Sequence, residues 1–158
     1  MIALIQRVAS ARVEVDGEGG PEVVGAIGSG VLAFIGVERG DGEGEAARLV
    51  ERVLGYRVFA AALADGGKGR MDRSLTEVGG GLLLVPQFTL VADTAKGTRA
   101  SFTPAAAPDQ GRRWFDRMVE LAQALHSPVA TGRFGAHMQV HLVNDGPVTF
   151  TLRVPPGA

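Results

Sequence analysis

Two short segments of this 158-residue chain carry residues whose types and spacing suit chemistry. Near the C-terminus, Asn144-Asp145-Gly146-Pro147-Val148-Thr149 sets a Gly-Pro step between two alternating stretches, with Met138, Val140 and Leu142 upstream and Val148, Phe150, Leu152 and Val154 downstream. Both flanks predict half-buried strands. Taken alone, the four residues around the step suit an ordinary hairpin; the other reading is a backbone element presented to a ligand. The second segment, Pro86-Gln87-Phe88-Thr89-Leu90, follows the apolar run Leu82-Leu83-Leu84-Val85, which predicts a strand buried on both faces. Its polar groups begin where the strand stops, and strand carboxyl ends that open onto a crevice are favoured ligand positions in α/β sheets. Gln87 and Thr89 equally suit strand-end side chains bonded to nearby backbone.

Side-chain catalysis finds little support elsewhere. Thr89 is the best hydroxyl candidate, yet no His or Lys adjoins it to take its proton, so a hydrogen bond that shapes the pocket is the preferred role. Ser29, Ser74, Ser101 and Ser127 lack a Gly-x-Ser-x-Gly elbow. His137 and His141 have the spacing of a zinc helix but lie in an alternating strand, where i and i+4 stand ~13 Å apart. No metal and no cofactor are expected, and the absence of cysteine removes thiolate chemistry. His126 reads as a surface residue near a helix C-terminus.

These segments need a frame. Strands are predicted over Ile2–Val8, Arg12–Val15, Val23–Ile27 and Val31–Val37. An amphipathic helix over Glu43–Leu54 then leads into a strand over Tyr56–Ala60. Ala64–Arg73 reads as a Gly-rich, charged loop, and the stretch from Ala92 to Asp109 as a loop long enough to suspect function. A second helix starts at Pro108 or Asp109, buries a stripe of Trp114, Phe115, Met118, Val119, Ala122 and Leu125, and ends before Pro128. A terminal hairpin closes the chain. The order implies a mixed sheet with helices on one side.

Length suits one domain, residues 1–158, able to bury a core without disulfides. The apolar start from Met1 to Ile5 is too short for a signal core, and no stretch approaches the ~20 apolar residues of a membrane span, so a cytoplasmic protein with no membrane partner is expected. A net charge of −1 argues against coating nucleic acid by bulk electrostatics, while leaving room for a small RNA footprint. Its only lysines sit in local basic clusters, Lys68 with Arg70 and Arg73, and Lys96 with Arg99.

Together the segments resemble the D-aminoacyl-tRNA deacylase family, whose motifs read Ser-Gln-Phe-Thr-Leu and Asn-x-Gly-Pro-Val-Thr. The resemblance extends in family order over Met1–Val8, Glu51–Phe59, Lys96–Phe102 and Thr131–Ala136, nearly the whole chain. It implies a mixed α/β fold, a single compact three-layer β/β/α domain. It also implies a homodimer that hydrolyses the ester joining a D-amino acid or glycine to tRNA, with aminoacyl-tRNA as partner. The vicinal 2′-hydroxyl of the terminal adenosine would position or activate water. Gln87, Phe88 and Thr89 would form the catalytic segment, with backbone N–H groups around Gln87 and Phe88 as the oxyanion hole and Phe88 packing on the adenosine. Gly146 and Pro147, joined by a cis peptide and inserted from the partner subunit, would reject L side chains. Arg7 would brace that loop, although a surface ion pair is the alternative, and Asn144 would support it. Lys96, Arg99 and Ser101 would meet the tRNA.

Two positions depart from the family pattern: Pro86 stands for the usual Ser, and Ala100 where Pro is common. Pro86 resembles a sister group of tRNA deacylases that edits an L-amino acid and carries its Gly-Pro in trans. A non-catalytic tRNA-binding module is the third reading. The stretch Gly17–Glu22 reads as a lengthened surface hairpin.

Overall fold

A single strand, β1 (Ile2–Gly17), is the spine of the molecule. The computed structural model describes residues 1–61 and 69–158. The strands predicted over Ile2–Val8 and Arg12–Val15 are one element, because a bulge at Ala9 lets the chain bend without breaking its ladder. The bulge also changes the phase of burial. Ala3 and Ile5 face the helices, whereas Val8, Ala11 and Val13 share a second core on the other face of the sheet.

β1 pairs on one edge with β3 (Gly30–Gly36) through its first half and with β2 (Gly20–Ile27) through its second half, both antiparallel. The β1–β2 turn is the surface hairpin read at Gly17–Glu22. β3 continues in parallel to β6 (Gly81–Pro86), which pairs in parallel with β7 (Val129–Thr131). Leu82 to Val85 are buried on both faces, as their unbroken apolar run predicts.

On β1's other edge lies β8 (Met138–Arg153), and here the predicted C-terminal hairpin is corrected. Both halves of β8 run antiparallel to β1, from Val15 opposite Met138 to Ile2 opposite Arg153. Alternation predicted each half but not their relation, because two collinear half-strands and a hairpin share the same periodicity.

The helices α1 (Glu43–Gly55) and α3 (Pro108–Leu125) cover one face, with Leu49, Val50, Val53, Phe115, Met118 and Ala122 buried against Ile5, Val31 and Leu84. The opposite face closes the second core, where Val13, Ile27, Leu32, Leu83 and Val85 meet Val140 and Leu142. Two cores on either side of the central strands make the mixed α/β, β/β/α layering. Pro108 opens α3 at a position where its missing N–H is harmless.

Smaller differences have local causes. Only Phe59–Ala60 (β4) of the predicted Tyr56–Ala60 strand forms, paired to β5 (Met71–Arg73). Ser74 and Glu77 then close a capping box around the short α2 (Leu75–Val78). Lys68, and half of the loop read over Ala64–Arg73, lie outside the described residues, and its last three residues form β5. His126 is buried, not on the surface: its Nε2 lies 2.7 Å from the Gly80 carbonyl oxygen and ties the end of α3 to the start of β6.

A polar knot ties the start of β1 to the β3–α1 connection and to the segment after β8. The Met1 α-ammonium donates to Glu38 Oε2 (2.9 Å), Asp41 Oδ1 (2.7 Å) and the Val154 carbonyl (2.6 Å), and Arg153 donates to Glu38 as well. Burial raises the Glu38 pKa, but the hydrogen bonds from Arg153 and the ammonium outweigh it, so the net shift is downward. At Asp41 burial wins and the shift is upward. A lowered carboxyl pKa stabilises the fold above the usual 4.5 and loses that contribution as pH falls through the folded value. Glu38→Gln is therefore expected to cost roughly 3 kcal/mol near neutral pH. Urea midpoints measured against pH should show the gap to wild type closing in acid; a pH-independent gap would refute the assignment.

Candidate active site

At the end of β6 the chain turns sharply. Pro86 is the last strand residue, and Gln87 leads into a 3-10 turn over Phe88–Val91. The turn packs directly on Gly36 of β3, where a Cβ would come within 2.9 Å of Val91 Cγ1 and 3.2 Å of the Gln87 carbonyl oxygen. Only a glycine there lets the turn lie this close.

The Gln87 amide donates to the Ile35 carbonyl oxygen at 2.7 Å. It is thus engaged in the sheet, which corrects the expectation that it faces an oxyanion. The amides of Phe88 and Thr89 stand first in the turn, where no preceding carbonyl of the turn is in reach, while Leu90 already bonds back to the Gln87 carbonyl. The Gln87 side chain donates through Nε2 to Thr89 Oγ1, which locks both side chains of the segment to each other. Among the described residues no basic group hydrogen-bonds the Thr89 hydroxyl.

Phe88 projects outward at 61% exposure, unusual for a phenylalanine. Its ring stacks at a tilt on Phe102, centroids 5.1 Å apart. Phe102 ends a long loop whose base is pinned by the reciprocal backbone bonds of Asp93 and Ser101 (2.8 and 2.9 Å). Lys96 and Arg99 are exposed beyond that base, whereas the Ser101 hydroxyl pairs with Thr103 Oγ1 at 3.0 Å. The turn borders two cavities of about 270 and 290 Å³ that share Gln87, Phe88, Phe134 and Gly135. The first is lined mainly by apolar groups, including Ile35, Phe115 and Phe134.

The second motif lies elsewhere. Between Thr149, opposite Gln6, and Asn144, opposite Val8, the four residues 145–148 face Arg7 alone, so Asp145-Gly146-Pro147-Val148 bulges out of the ladder. The Gly146–Pro147 peptide is cis. Arg7 clasps the bulge from inside: its Nε donates to the Asp145 carbonyl (3.0 Å) and lies 3.2 Å from the Asp145 carboxylate, and its Nη1 donates to the Val58 carbonyl (2.7 Å). Asn144 spans the base, accepting from the Val148 amide (3.0 Å) and donating to Thr149 Oγ1 (2.9 Å). Gly146 has φ +138°, and a Cβ there would sit 2.7 Å from Val148 Cγ2 and 3.1 Å from Arg7 Nη2.

Within one chain the two motifs do not meet. Arg7 is level with Val31 and Leu82, and Gln87 lies five residues further along β6 and three strands across from β8. Strand rise and spacing put Gly146 and Gln87 on the order of 20 Å apart. Each motif is held by its own set of contacts, the first by β3 and the second by β1.

The model of the D-Tyr-tRNA(Tyr) deacylase family matches residues 4–153. The chain belongs to that family. Its relatives include proteins named D-aminoacyl-tRNA deacylase from Thioalkalivibrio sulfidiphilus, 65% identical over 99% of each chain, and from Methylococcus capsulatus, 63% identical over 99% of this chain and 96% of the other. Among solved structures, the fold is similar to one titled c-Myc DNA Unwinding Element Binding Protein (TM-score 0.88, 35% identity, 98% of this chain and 99% of that one). A probable eukaryotic D-amino acid tRNA deacylase shares the fold alone, at TM-score 0.77 and 18% identity over 96% of this chain and 97% of that one. The L-editing alternative raised by Pro86 is not favoured by these relatives. In the structure Pro86 simply ends the strand at a position where Gln87 resumes the pairing to β3.

Of the residues that shape this candidate site, sequence reasoning gave no role to Phe102, Phe134 or the Val58 carbonyl. Phe102 and Phe134 sit in aperiodic loops, and a backbone carbonyl leaves no signature in side-chain pattern. Among the described residues no helix is long and apolar enough to cross a membrane.

Proposed function

We propose that the chain hydrolyses the ester linking a D-amino acid, or glycine, to tRNA, as a cytoplasmic homodimer in which each subunit completes the other's site. The observation that carries this reading is the separation of the two motifs. A turn whose Phe88 and Thr89 amides have no partner among the described residues opens beside a cavity at one end of the sheet, and a braced backbone bulge projects at the other. A second copy supplies the bulge that a single chain keeps too far away.

The roles follow from the chemistry of the groups. The aminoacyl ester is an activated acyl group, so the protein's main task is to place the carbonyl and stabilise the negative charge that develops on its oxygen. The Phe88 and Thr89 amides belong to a turn held by the Gln87–Ile35 and Leu90–Gln87 bonds, and donors fixed before substrate arrives stabilise developing charge most effectively. Gln87 and Thr89 hold each other and so set the turn. The vicinal 2′-hydroxyl of the terminal adenosine positions or activates the water, and the exposed Phe88 ring offers a stacking face to the base. Lys96 and Arg99 lie on an exposed loop suited to the RNA backbone, with Ser101 at its pinned base. Gly146 and Pro147 supply the wall against the α-carbon, Arg7 and Asn144 its rigidity.

Thr89→Ala is expected to retain activity within about tenfold of wild type, because a hydrogen bond of this kind contributes about 1 kcal/mol. A substrate carrying a 3′-linked ester on a 2′-deoxyadenosine end is expected to react at least about 100-fold more slowly. Single-turnover deacylation measures both, and a trapped acyl-Thr89 species would overturn the assignment.

A further inference from the structure

Resting on the reading of this site as one for aminoacyl-tRNA, we propose that Arg112 is a phosphate-binding residue at the cavity mouth, gripping the RNA backbone just upstream of the terminal adenosine. Its guanidinium lies over the Phe134 ring, 4.8 Å from the centroid, and Nη2 donates to the Phe134 carbonyl at 3.3 Å. Phe134 is itself fixed: its Cζ is 3.4 Å from where a Cβ on Gly111 would sit, and its ring packs on buried Phe115 at 6.2 Å. Phe134 and Gly135 both line the cavity, and Nη2 is 3.7 Å from the Cβ position of Gly135, which places the cation against two lining residues.

Among the described residues no carboxylate lies within ion-pair distance of Arg112. A charge held still by an aromatic face, uncompensated and beside an apolar cavity, is suited to an anion that arrives with the ligand. RNA supplies one phosphate per nucleotide, and a terminal nucleotide whose adenosine lodges in the cavity brings its 5′-phosphate to the mouth. The next residue is a control built into the fold. Arg113 is also stacked, 4.8 Å over Trp114, but it faces a hollow shared with Arg117 and with three carboxylates, Glu43, Asp116 and Glu120. Arg117 pairs with Glu43 and Glu120, so the charge there is already compensated within the protein.

The test compares Arg112→Gln, Arg112→Lys and Arg113→Gln on two substrates, D-tyrosyl-tRNA and the 3′-D-tyrosyl ester of adenosine, which has no phosphate. Arg112→Gln is expected to raise KM for the tRNA about tenfold, the effect of one charge-assisted hydrogen bond, with kcat held. The slope of log KM against log salt should fall by about 0.7, one single-strand phosphate contact. The adenosine ester should show no change, Lys should restore part of the loss, and Arg113→Gln should match wild type. An unchanged KM on tRNA, or an equal loss on both substrates, would overturn the proposal. If wild type hydrolyses neither substrate, the deacylase reading fails on its own. Anisotropy with an RNA oligonucleotide carrying the single-stranded 3′ end of tRNA then decides for Arg112: weaker binding by Arg112→Gln supports the contact, and unchanged binding refutes it.

Discussion

D-tyrosyl-tRNA and D-aspartyl-tRNA are expected to be hydrolysed within about tenfold of each other, glycyl-tRNA to be accepted, and L-tyrosyl-tRNA to be spared by about 1,000-fold or more. The reason lies in what the proposed filter is made of. The segment that faces the α-carbon is backbone, Gly146 and Pro147, stiffened by Arg7 from below and by Asn144 across its base. Backbone placed against the α-carbon excludes by volume and handedness, so it strikes an L side chain of any chemistry and lets a D side chain point away. Glycine has nothing to strike. The one charged side chain in the two motifs, Asp145, is paired with Arg7, so its charge is compensated and does little to favour tyrosine over aspartate. A 1,000-fold preference corresponds to about 4 kcal/mol, within reach of a rigid steric wall. Deacylation rates on the four charged tRNAs decide the matter. Cleavage of L-tyrosyl-tRNA at the D rate would sink the wall, and so would rejection of one D-residue by orders of magnitude.

A second large effect is expected from mixing two damaged chains. Phe88→Pro removes one of the two free amides and distorts the turn, so it should abolish hydrolysis by its own pocket while leaving its bulge intact. Gly146→Ala adds a methyl group where Val148 and Arg7 leave no room, and it forces a side chain onto φ +138°, so its bulge should lose the geometry of the wall while its pocket survives. If each site combines the pocket of one subunit with the bulge of the other, mixed dimers contain one site damaged twice and one site free of damage. Random reassociation makes half of all dimers mixed, so D-selective hydrolysis should return to about a quarter of wild type. Neither variant alone should show it. Absence of recovery after verified subunit exchange would mean that each chain works with its own bulge, or that no second copy takes part.

How much of this was legible beforehand differs by element. The buried strand Leu82–Val85, the helices with their stripes of Leu49, Val53, Phe115 and Met118, and the polar residues at the end of β6 all follow from hydrophobic period, since local pattern and burial agree there. The two motifs were visible as residue runs, and their match to the deacylase family identified the chain's relatives. Period alone is silent on partners, however. The alternation around Gly146 was read as two strands of a hairpin, and only pairing along β1 decided that they are collinear halves of β8, which turns a connecting turn into a bulge held outward by Arg7. Tertiary contact likewise decided that the Gln87 amide is engaged by Ile35, that His126 is buried against Gly80, and that Phe134 carries a cation on its face. Each of these depends on which distant backbone comes within about 3 Å, or which ring within about 5 Å, and such proximity is set by strand register and packing. The sequence by itself determined the kinds of groups available and the periods of the elements that carry them; the long-range register of β1 decided which of those groups face each other, and which remain for a ligand or a second subunit.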